Sequence, residues 1–402
     1  MNTLLLTDSF APHPGGSRVY YFHLFRGWAP DKVTVLTKKV EGWREFDQKE
    51  SDDSLRIIRR FKPLRSMRYT ELPKGMPSIA DAVLRTMTDS PDLLFAGDLY
   101  PQGVAALLLR RALRLPYIVF CHGEEITLSE RFRFQWRLRN RIYRDAEMVV
   151  ANSANTRRLL LEQGIKSERI CTITPGVDCS EFRPGPPDPE LIRRHHLGGA
   201  QVLLTVARLV PRKGHELVLR AVAGLATELP ALKYLIVGRG SEEAALRKLA
   251  GELGIAERVE FAGFVPREKL ADYYRLATIM VMPNRDGAGD IEGFGMCFLE
   301  ASASGKPVIG GRSGGTAESV ADGESGLLIN PEVEGQLSGA IRRLVNDRAL
   351  AARMGEYGAR RAREHFDWSA RAHVLRELAR SVAMTRCRRA GAMDESQAGS
   401  RG

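Results

Sequence analysis

Two segments about two hundred residues apart open in the same way. "TLLLTDSFAPHPGGSRVYYFHLF" begins at Thr3 and "QVLLTVARLVPRKGHELVLRAVAGL" at Gln201. Each reads as a short apolar strand, a loop and then a helix. Strand Thr3–Thr7 leads into a loop with Gly15 and Gly16. Strand Gln201–Ala207 leads into a basic loop, with a helix from about Gly214. Further apolar runs follow each start: "KVTVLTK", "LRIIRRF", "DLLFAGD", "PYIVFCHG" and "MVVANS" in the first half, "KYLIVGRG", "RVEFAGFV", "IMVMPN" and "PVIGGRS" in the second. Continuous apolar strands alternating with helical patterns require parallel sheets covered by helices on both faces. The expected class is therefore α/β, with two Rossmann-like doubly wound domains facing a central cleft.

The chain of 402 residues has room for two such domains. A boundary is expected at "TPGVDCSEFRPGPPDPE", which carries Pro175, Pro184, Pro186, Pro187 and Pro189 and no periodicity. This gives a first domain over 1–175, a linker over 176–198 and a second domain over 199–365. A last amphipathic helix is expected over roughly Trp368–Val382, and the polar, basic end, 384–402, is expected to be disordered.

The net charge of +11 favours polyanionic partners: nucleic acid, an anionic membrane or phosphorylated small molecules. Five scattered cysteines with no C-x-x-C pair suit a reducing compartment and neither a disulfide framework nor a zinc site. The start, "MNTLLLTDSF", lacks a basic n-region, and no run approaches the ~20 apolar residues that span a bilayer. The expected location is cytoplasmic, at most against a membrane face.

Parallel sheets present ligands to the loops beyond the carboxyl ends of their strands, and the candidate residues sit there. Arg208 and Lys213 in "ARLVPRKG" flank a helix start, where free N–H groups and two cations suit a diphosphate. The competing reading is ordinary surface charge. "DIEGFGMCFLE" places Glu292 and Glu300 around Gly293–Gly295, at most ~12 Å apart along a helix axis. The N–H groups of Phe294, Gly295, Met296 and Cys297 would meet an anion, and a carboxylate suits sugar hydroxyls because it accepts two. Its competitor is a capped helix with one solvated and one salt-bridged glutamate. His122 in "CHGEE" follows a buried strand, as either a substrate contact or a structural histidine. Gly15 and Gly16 permit close backbone approach or simply mark a turn, and they do not form G-x-G-x-x-G. "RFRFQWRLRNRIYR", Arg131–Arg144, is a basic aromatic helix that either lies on anionic lipid or packs its aromatics inward. There is no Walker A signature, no G-x-S-x-G elbow, no H-E-x-x-H helix and no Asp-x-Asp pair. Asp286 and Asp290 flank "GAG" in what reads as a flexible loop.

Taken together, the Glu-x7-Glu segment beginning "EGFG", the Arg-x4-Lys pair, the first-half "GG" and the "HG" resemble glycosyltransferase family four over roughly residues 3–383. The resemblance implies a GT-B fold, a retaining hexosyltransferase and no metal cofactor. It implies that Arg208 and Lys213 hold the donor diphosphate, Glu292 and the following turn the transferred sugar, and Glu300 the ribose. It sets Gly263–Val265 against the base, with backbone contacts from Val265. His122 is implied beside the sugar near the reacting carbon, and Gly16, with Gly15, over the phosphates and the acceptor. The helix at 366–383 is implied to return to the first domain. Within the family the "RDGAGDIEG" insertion and the spacings are similar to bacterial phosphatidylinositol mannoside mannosyltransferases. That implies a GDP-mannose donor and a lipid-linked or polysaccharide acceptor. The alternatives are a UDP-sugar-dependent transferase of lipopolysaccharide or exopolysaccharide synthesis, a nucleotide-sugar epimerase of the same fold, and a basic nucleic-acid-binding protein. The last would need a continuous basic stripe with stacking aromatics, and no nucleic-acid-binding module is evident. No nucleic-acid partner is therefore expected.

Overall fold

The computed structural model describes residues 1–12, 15–61, 72–129, 133–287 and 291–398. The chain divides into two compact units, Met1–Thr174 with Trp368–Gly402, and Pro175–Asp367.

The first unit is built on seven parallel strands: β1 (Asn2–Leu6), β2 (Lys32–Lys38), β3 (Leu55–Phe61), β4 (Leu93–Ala96), β5 (Tyr117–Cys121), β6 (Met148–Ala151) and β7 (Ile170–Thr172). Their order is β3-β2-β1-β4-β5-β6-β7. The period of two decides which helices each face meets. Leu4, Leu6, Leu94, Val119 and Val149 enter one apolar cluster. The alternate residues meet an aromatic layer: Phe95 lies 5.0 Å from Phe25, and Phe120 5.1 Å from Tyr21, both T-shaped. Tyr21 and Phe25 belong to helix Gly16–Phe25, which Gly15 opens at φ +149°, a backbone state that favours glycine.

The final helix, Trp368–Ala398, belongs to this unit. Trp368 stacks on His23 at 4.9 Å, Leu375 and Ala379 are fully buried, and Arg380 pairs with Asp31 at 2.8 Å. This helix runs through the stretch from residue 384 that was expected to be disordered, as far as Ala398. Small and basic residues there are compatible with a helix once an upstream turn is docked and nucleation has been met.

The second unit holds six parallel strands: β8 (Gln201–Val206), β9 (Leu232–Val237), β10 (Val259–Gly263), β11 (Ile279–Met282), β12 (Val308–Gly311) and β13 (Gly326–Ile329), in the order β10-β9-β8-β11-β12-β13. Leu204, Leu235, Met280 and Val308 face one cluster, and Leu203, Tyr234, Ile279 and Ile309 the other. The segment 176–198 is not a free linker. Its Val177, Phe182, Leu191 and Leu197 are buried in the first of these clusters, and the Val177 N–H donates to Phe366 O at 2.8 Å. Prolines end regular structure without preventing burial of the apolar residues between them.

Every apolar run named above forms a strand. Both sheets reverse their order beside the first strand, between β1 and β4 and between β8 and β11, the position at which doubly wound sheets bind ligands.

Candidate active site

In the second unit the loops after β8, β9, β11 and β12 are held against each other by backbone that tolerates no side chain. A Cβ on Gly214 would lie 2.4 Å from Pro283 O, and one on Gly311 1.9 Å from Asn284 O. The Asn284 side chain ties the same loops, donating to Thr316 Oγ1 at 2.8 Å and accepting from Gly311 N–H at 3.2 Å. His215 fixes the β8 loop from beneath. Its Nε2 donates to Arg208 O at 3.1 Å, and burial holds its pKa down at about 4.

Glu292 lies on this platform, just before helix Met296–Ala303. Its Oε2 accepts from Lys213 Nζ at 2.5 Å and from Arg212 at 2.7 Å. Burial alone would raise this carboxyl, but Lys213 and then Arg212 overcome it and hold the pKa at about 2. Among the described residues, Oε1 accepts no hydrogen bond. Arg208 is exposed and, among the described residues, forms no ion pair. Two cations thus meet one carboxylate, beside a helix whose first-turn N–H groups have no intrahelical partners.

Glu300 lies further along the same helix. Tyr274 Oη donates to its Oε2 at 2.7 Å and Arg267 to its Oε1 at 3.3 Å, and Arg267 also reaches Glu181 at 3.4 Å. Both glutamates are buried, at 8% and 7% exposure, and both are partnered. The arrangement with one solvated glutamate is therefore not the one found. Gly295 opens the helix at φ +86°, and Phe294, Met296 and Cys297 form the turn around it. Cys297 is a packed thiol 3.9 Å from the Met282 sulfur, and burial pushes its pKa up to about 12. Val265 is buried beyond β10 beside an exposed Phe264.

In the first unit His122 follows β5 and meets the helix that Gly16 begins. His122 Nε2 lies 2.7 Å from Tyr21 Oη, and that hydroxyl donates to Gly97 O. A carbonyl can only accept, so the one tyrosyl proton is committed there and Nε2 is the donor to tyrosine. The neutral ring then presents Nδ1 as an acceptor. Burial lowers the His122 pKa, against Glu124 and Asp98. Asp98, after β4, gathers Thr7 Oγ1, Asp8 N–H and Ser9 Oγ after β1, at 2.6, 2.6 and 3.2 Å. Burial, then Asp98, raises the Asp8 carboxyl to about 6.

The basic aromatic run forms helix Arg133–Asp145 in its described part; Arg131 and Phe132 lie outside the described residues, as does Asp290. Tyr143 and Arg139 turn inward and are fully buried. Trp136 is 41% exposed, beside exposed Arg137, Arg141 and Arg144. These four, with Asn140 and Asp145, line a depression of ≈ 290 Å³.

Residues 188–361 match the family model described as glycosyl transferases group 1, and residues 14–181 the model of glycosyltransferase family 4. Over 381 residues the chain is 34% identical to the GDP-mannose-dependent alpha-(1-6)-phosphatidylinositol monomannoside mannosyltransferase of Mycolicibacterium smegmatis, covering 93% of this chain and 97% of that protein. The chain belongs to glycosyltransferase family four.

The enzyme is thus a hexosyltransferase with the GT-B fold, and retention is consistent with that membership. Sucrose-phosphate synthase of Thermosynechococcus elongatus aligns with a TM-score of 0.81 at 25% identity, over 96% of this chain and 99% of that one. Anabaena HepE in complex with UDP-glucose aligns at 0.79 and 21% identity, over 95% and 100%, a likeness of fold.

The structure brings Lys213 to Glu292, and His122 to the helix that starts at Gly16. Sequence reasoning passed over several partners of this glycosyltransferase's candidate residues. Arg212, beside Lys213, carries no spacing signal of its own in "VPRKG", yet it donates to Glu292. Gly314 and Gly315, after β12, lie under the glutamate turn: a Cβ on Gly314 would sit 2.0 Å from Glu292 O, and Gly315 N–H donates to that oxygen at 2.9 Å. A glycine pair after a buried strand was the available signal, as it had been for Gly15 and Gly16. Residues 288–290 of the loop read as flexible around "GAG" lie outside the described residues; ahead of them Arg285 pairs with Glu216, and Ser313 Oγ donates to Asp286 at 2.5 Å.

Proposed function

We propose that this enzyme transfers mannose, with retention, from GDP-mannose to a lipid-linked or polysaccharide acceptor at the cytoplasmic face of a membrane. The observation that carries the reading is Glu292: a buried carboxylate with one oxygen held by Lys213 and Arg212 and the other open, just ahead of a helix N-terminus. A diphosphate supplies negative charge for the cations and the helix N–H groups, and a sugar supplies hydroxyls for the open oxygen. The full-length likeness to a GDP-mannose-dependent mannosyltransferase supports the choice of base and sugar.

The roles follow from where charge develops. As the sugar–phosphate bond breaks, the leaving diphosphate gains negative charge. Arg208, Lys213 and the N–H groups of Phe294, Gly295, Met296 and Cys297 stabilise it. Glu292 orients the sugar through its open oxygen and forms no covalent bond. The acceptor attacks the face the phosphate leaves, and the departing phosphate takes the acceptor proton. Glu300 receives the ribose hydroxyls, with Arg267 and Tyr274 setting its angle, and Val265 meets the base through its backbone. In the first unit His122 accepts a hydrogen bond from a sugar hydroxyl at Nδ1, and Gly15 and Gly16 allow close approach of phosphate and acceptor. The exposed face with Trp136, Arg137, Arg141 and Arg144 suits anionic lipid. Among the described residues no helix is long and apolar enough to cross a membrane.

The test is a donor screen with GDP-mannose, GDP-glucose, UDP-glucose and UDP-N-acetylglucosamine, reading sugar released to water or to extracted lipid acceptors. GDP-mannose is expected to turn over fastest. Preference for a UDP-sugar would replace this reading with a UDP-dependent transferase of envelope polysaccharide synthesis.

A further inference from the structure

The loop after β9 reads Gly238–Arg239–Gly240, and its backbone is clamped on two sides. Gly238 N–H donates to Gly263 O at 2.8 Å, at the end of β10, where the next loop begins. Arg239 O accepts from Leu209 N–H at 3.1 Å, on the loop after β8 that carries Arg208. The flanking glycines are required by this closeness: a Cβ on Gly238 would lie 1.9 Å from Ala207 O, and one on Gly240 2.1 Å from Leu209 O. Arg239 is thus the one residue of the tripeptide that carries a side chain, and it leaves the backbone at the seam between the candidate diphosphate loop and the candidate base loop. Its Nε lies 3.9 Å from where a Cβ on Gly263 would sit. The side chain is exposed and, among the described residues, forms no ion pair. Phe264, 47% exposed, offers an apolar face on the same loop.

A guanidinium is a planar fork of donors, and its best partner is a pair of adjacent acceptors. Guanine presents O6 and N7 side by side. Adenine pairs N7 with an amino donor, and the corresponding edge of a pyrimidine carries one carbonyl beside a carbon. We propose that Arg239 is the donor-base selector of this enzyme, donating in bidentate fashion to O6 and N7 of guanine. The proposal rests on the reading above that the donor is a guanosine diphosphate sugar with its base against Gly263–Val265.

The test is calorimetric binding of GDP, 7-deaza-GDP and UDP to wild type, Arg239→Lys and Arg239→Met. Arg239 is exposed, so both variants fold, which their thermal unfolding verifies. Arg239→Lys keeps the charge and removes the fork. GDP is expected to bind both variants roughly 5- to 150-fold more weakly, the equivalent of ~1–3 kcal/mol for a bidentate base contact. UDP affinity stays unchanged. 7-Deaza-GDP, which lacks the N7 acceptor, binds wild type more weakly than GDP does, and the variants do not distinguish the two. Equal losses for GDP and UDP in Arg239→Met, with recovery in Arg239→Lys, would make Arg239 a phosphate contact and overturn the proposal. So would GDP binding unchanged by either substitution. Wild type binding UDP in preference to GDP would overturn the donor reading itself, a result visible before any variant is made.

Discussion

At the scale of single residues, Glu292 and His122 are each fixed by partners distant in the chain. The Glu292 carboxyl lies near pH 2 when folded, below its ordinary 4.5, so the unfolded chain binds its proton more readily. Its contribution to stability is complete above pH 4.5 and is lost as pH falls toward 2. At about 1.4 kcal/mol per pH unit this is worth ~3 kcal/mol. Acid titration of the unfolding free energy should show that loss in wild type and not in Glu292→Gln. The same variant should lose at least ~100-fold in kcat, in line with removal of a group that orients the reacting centre. Turnover left intact would end its assigned role. For His122 the decisive partner is Tyr21. Tyr21→Phe removes the oxygen that receives the Nε2 proton and leaves that N–H and Gly97 O unpaired, a cost of ~1–3 kcal/mol each. We expect a fall in kcat of about tenfold, with a mixture of the two ring tautomers in the nitrogen NMR spectrum of the imidazole, a change that lost stability alone would not produce. Because burial lowers the His122 pKa, wild-type activity should hold through neutral pH and decline only below the ordinary histidine value of 6.5, where a protonated Nδ1 can no longer accept.

At the scale of elements, the site rests on loops in contact through bare backbone. Gly314 has φ +51°, and its Cβ would meet Glu292 O at 2.0 Å, so Gly314→Ala must displace the turn that carries Glu292. A loss of ~1–3 kcal/mol in stability from overpacking and at least ~10-fold in kcat/KM are expected. Gly224, inside helix His215–Leu225, has open space around it, so Gly224→Ala should be neutral or stabilising by up to ~1 kcal/mol. Thermal unfolding and steady-state kinetics of the pair separate crowding at the turn from a general effect of glycine replacement. The strands around these loops were legible because they are apolar on both faces. β7 and β13 were not: each is an edge strand of three or four residues, "ICT" and "GLLI", too short for a run to stand out.

At the scale of the whole molecule, the chain returns to its first unit after completing its second. Trp368, Leu375 and Ala379 cover the aromatic face of the first sheet, and Arg380 reaches Asp31, which also holds the Met1 amino group at 3.1 Å. A chain ending at Asp367 would expose that face while leaving Pro175–Asp367 entire. Calorimetry should show the melting of the first unit lowered by several degrees, and nucleotide should still stabilise the second. Loss of nucleotide binding would mean that the final helix supports both units.

The sequence by itself determined the class of fold, because uninterrupted apolar strands alternating with helices leave no solution other than parallel sheets covered on both faces. It also determined which loops matter, since a parallel sheet sends all its post-strand loops to one edge. The tertiary structure alone decided what each charged residue meets. Nothing in the spacing of Arg212, Lys213 and Glu292, some eighty residues apart, says that one carboxylate oxygen holds two cations while its twin stays open. Nor does the order of residues place Arg239 between two loops, or commit the proton of Tyr21 to Gly97. Hydrogen bonds and ion pairs depend on distances of a few tenths of an ångström, and those are set only when the glycine-lined loops close on one another.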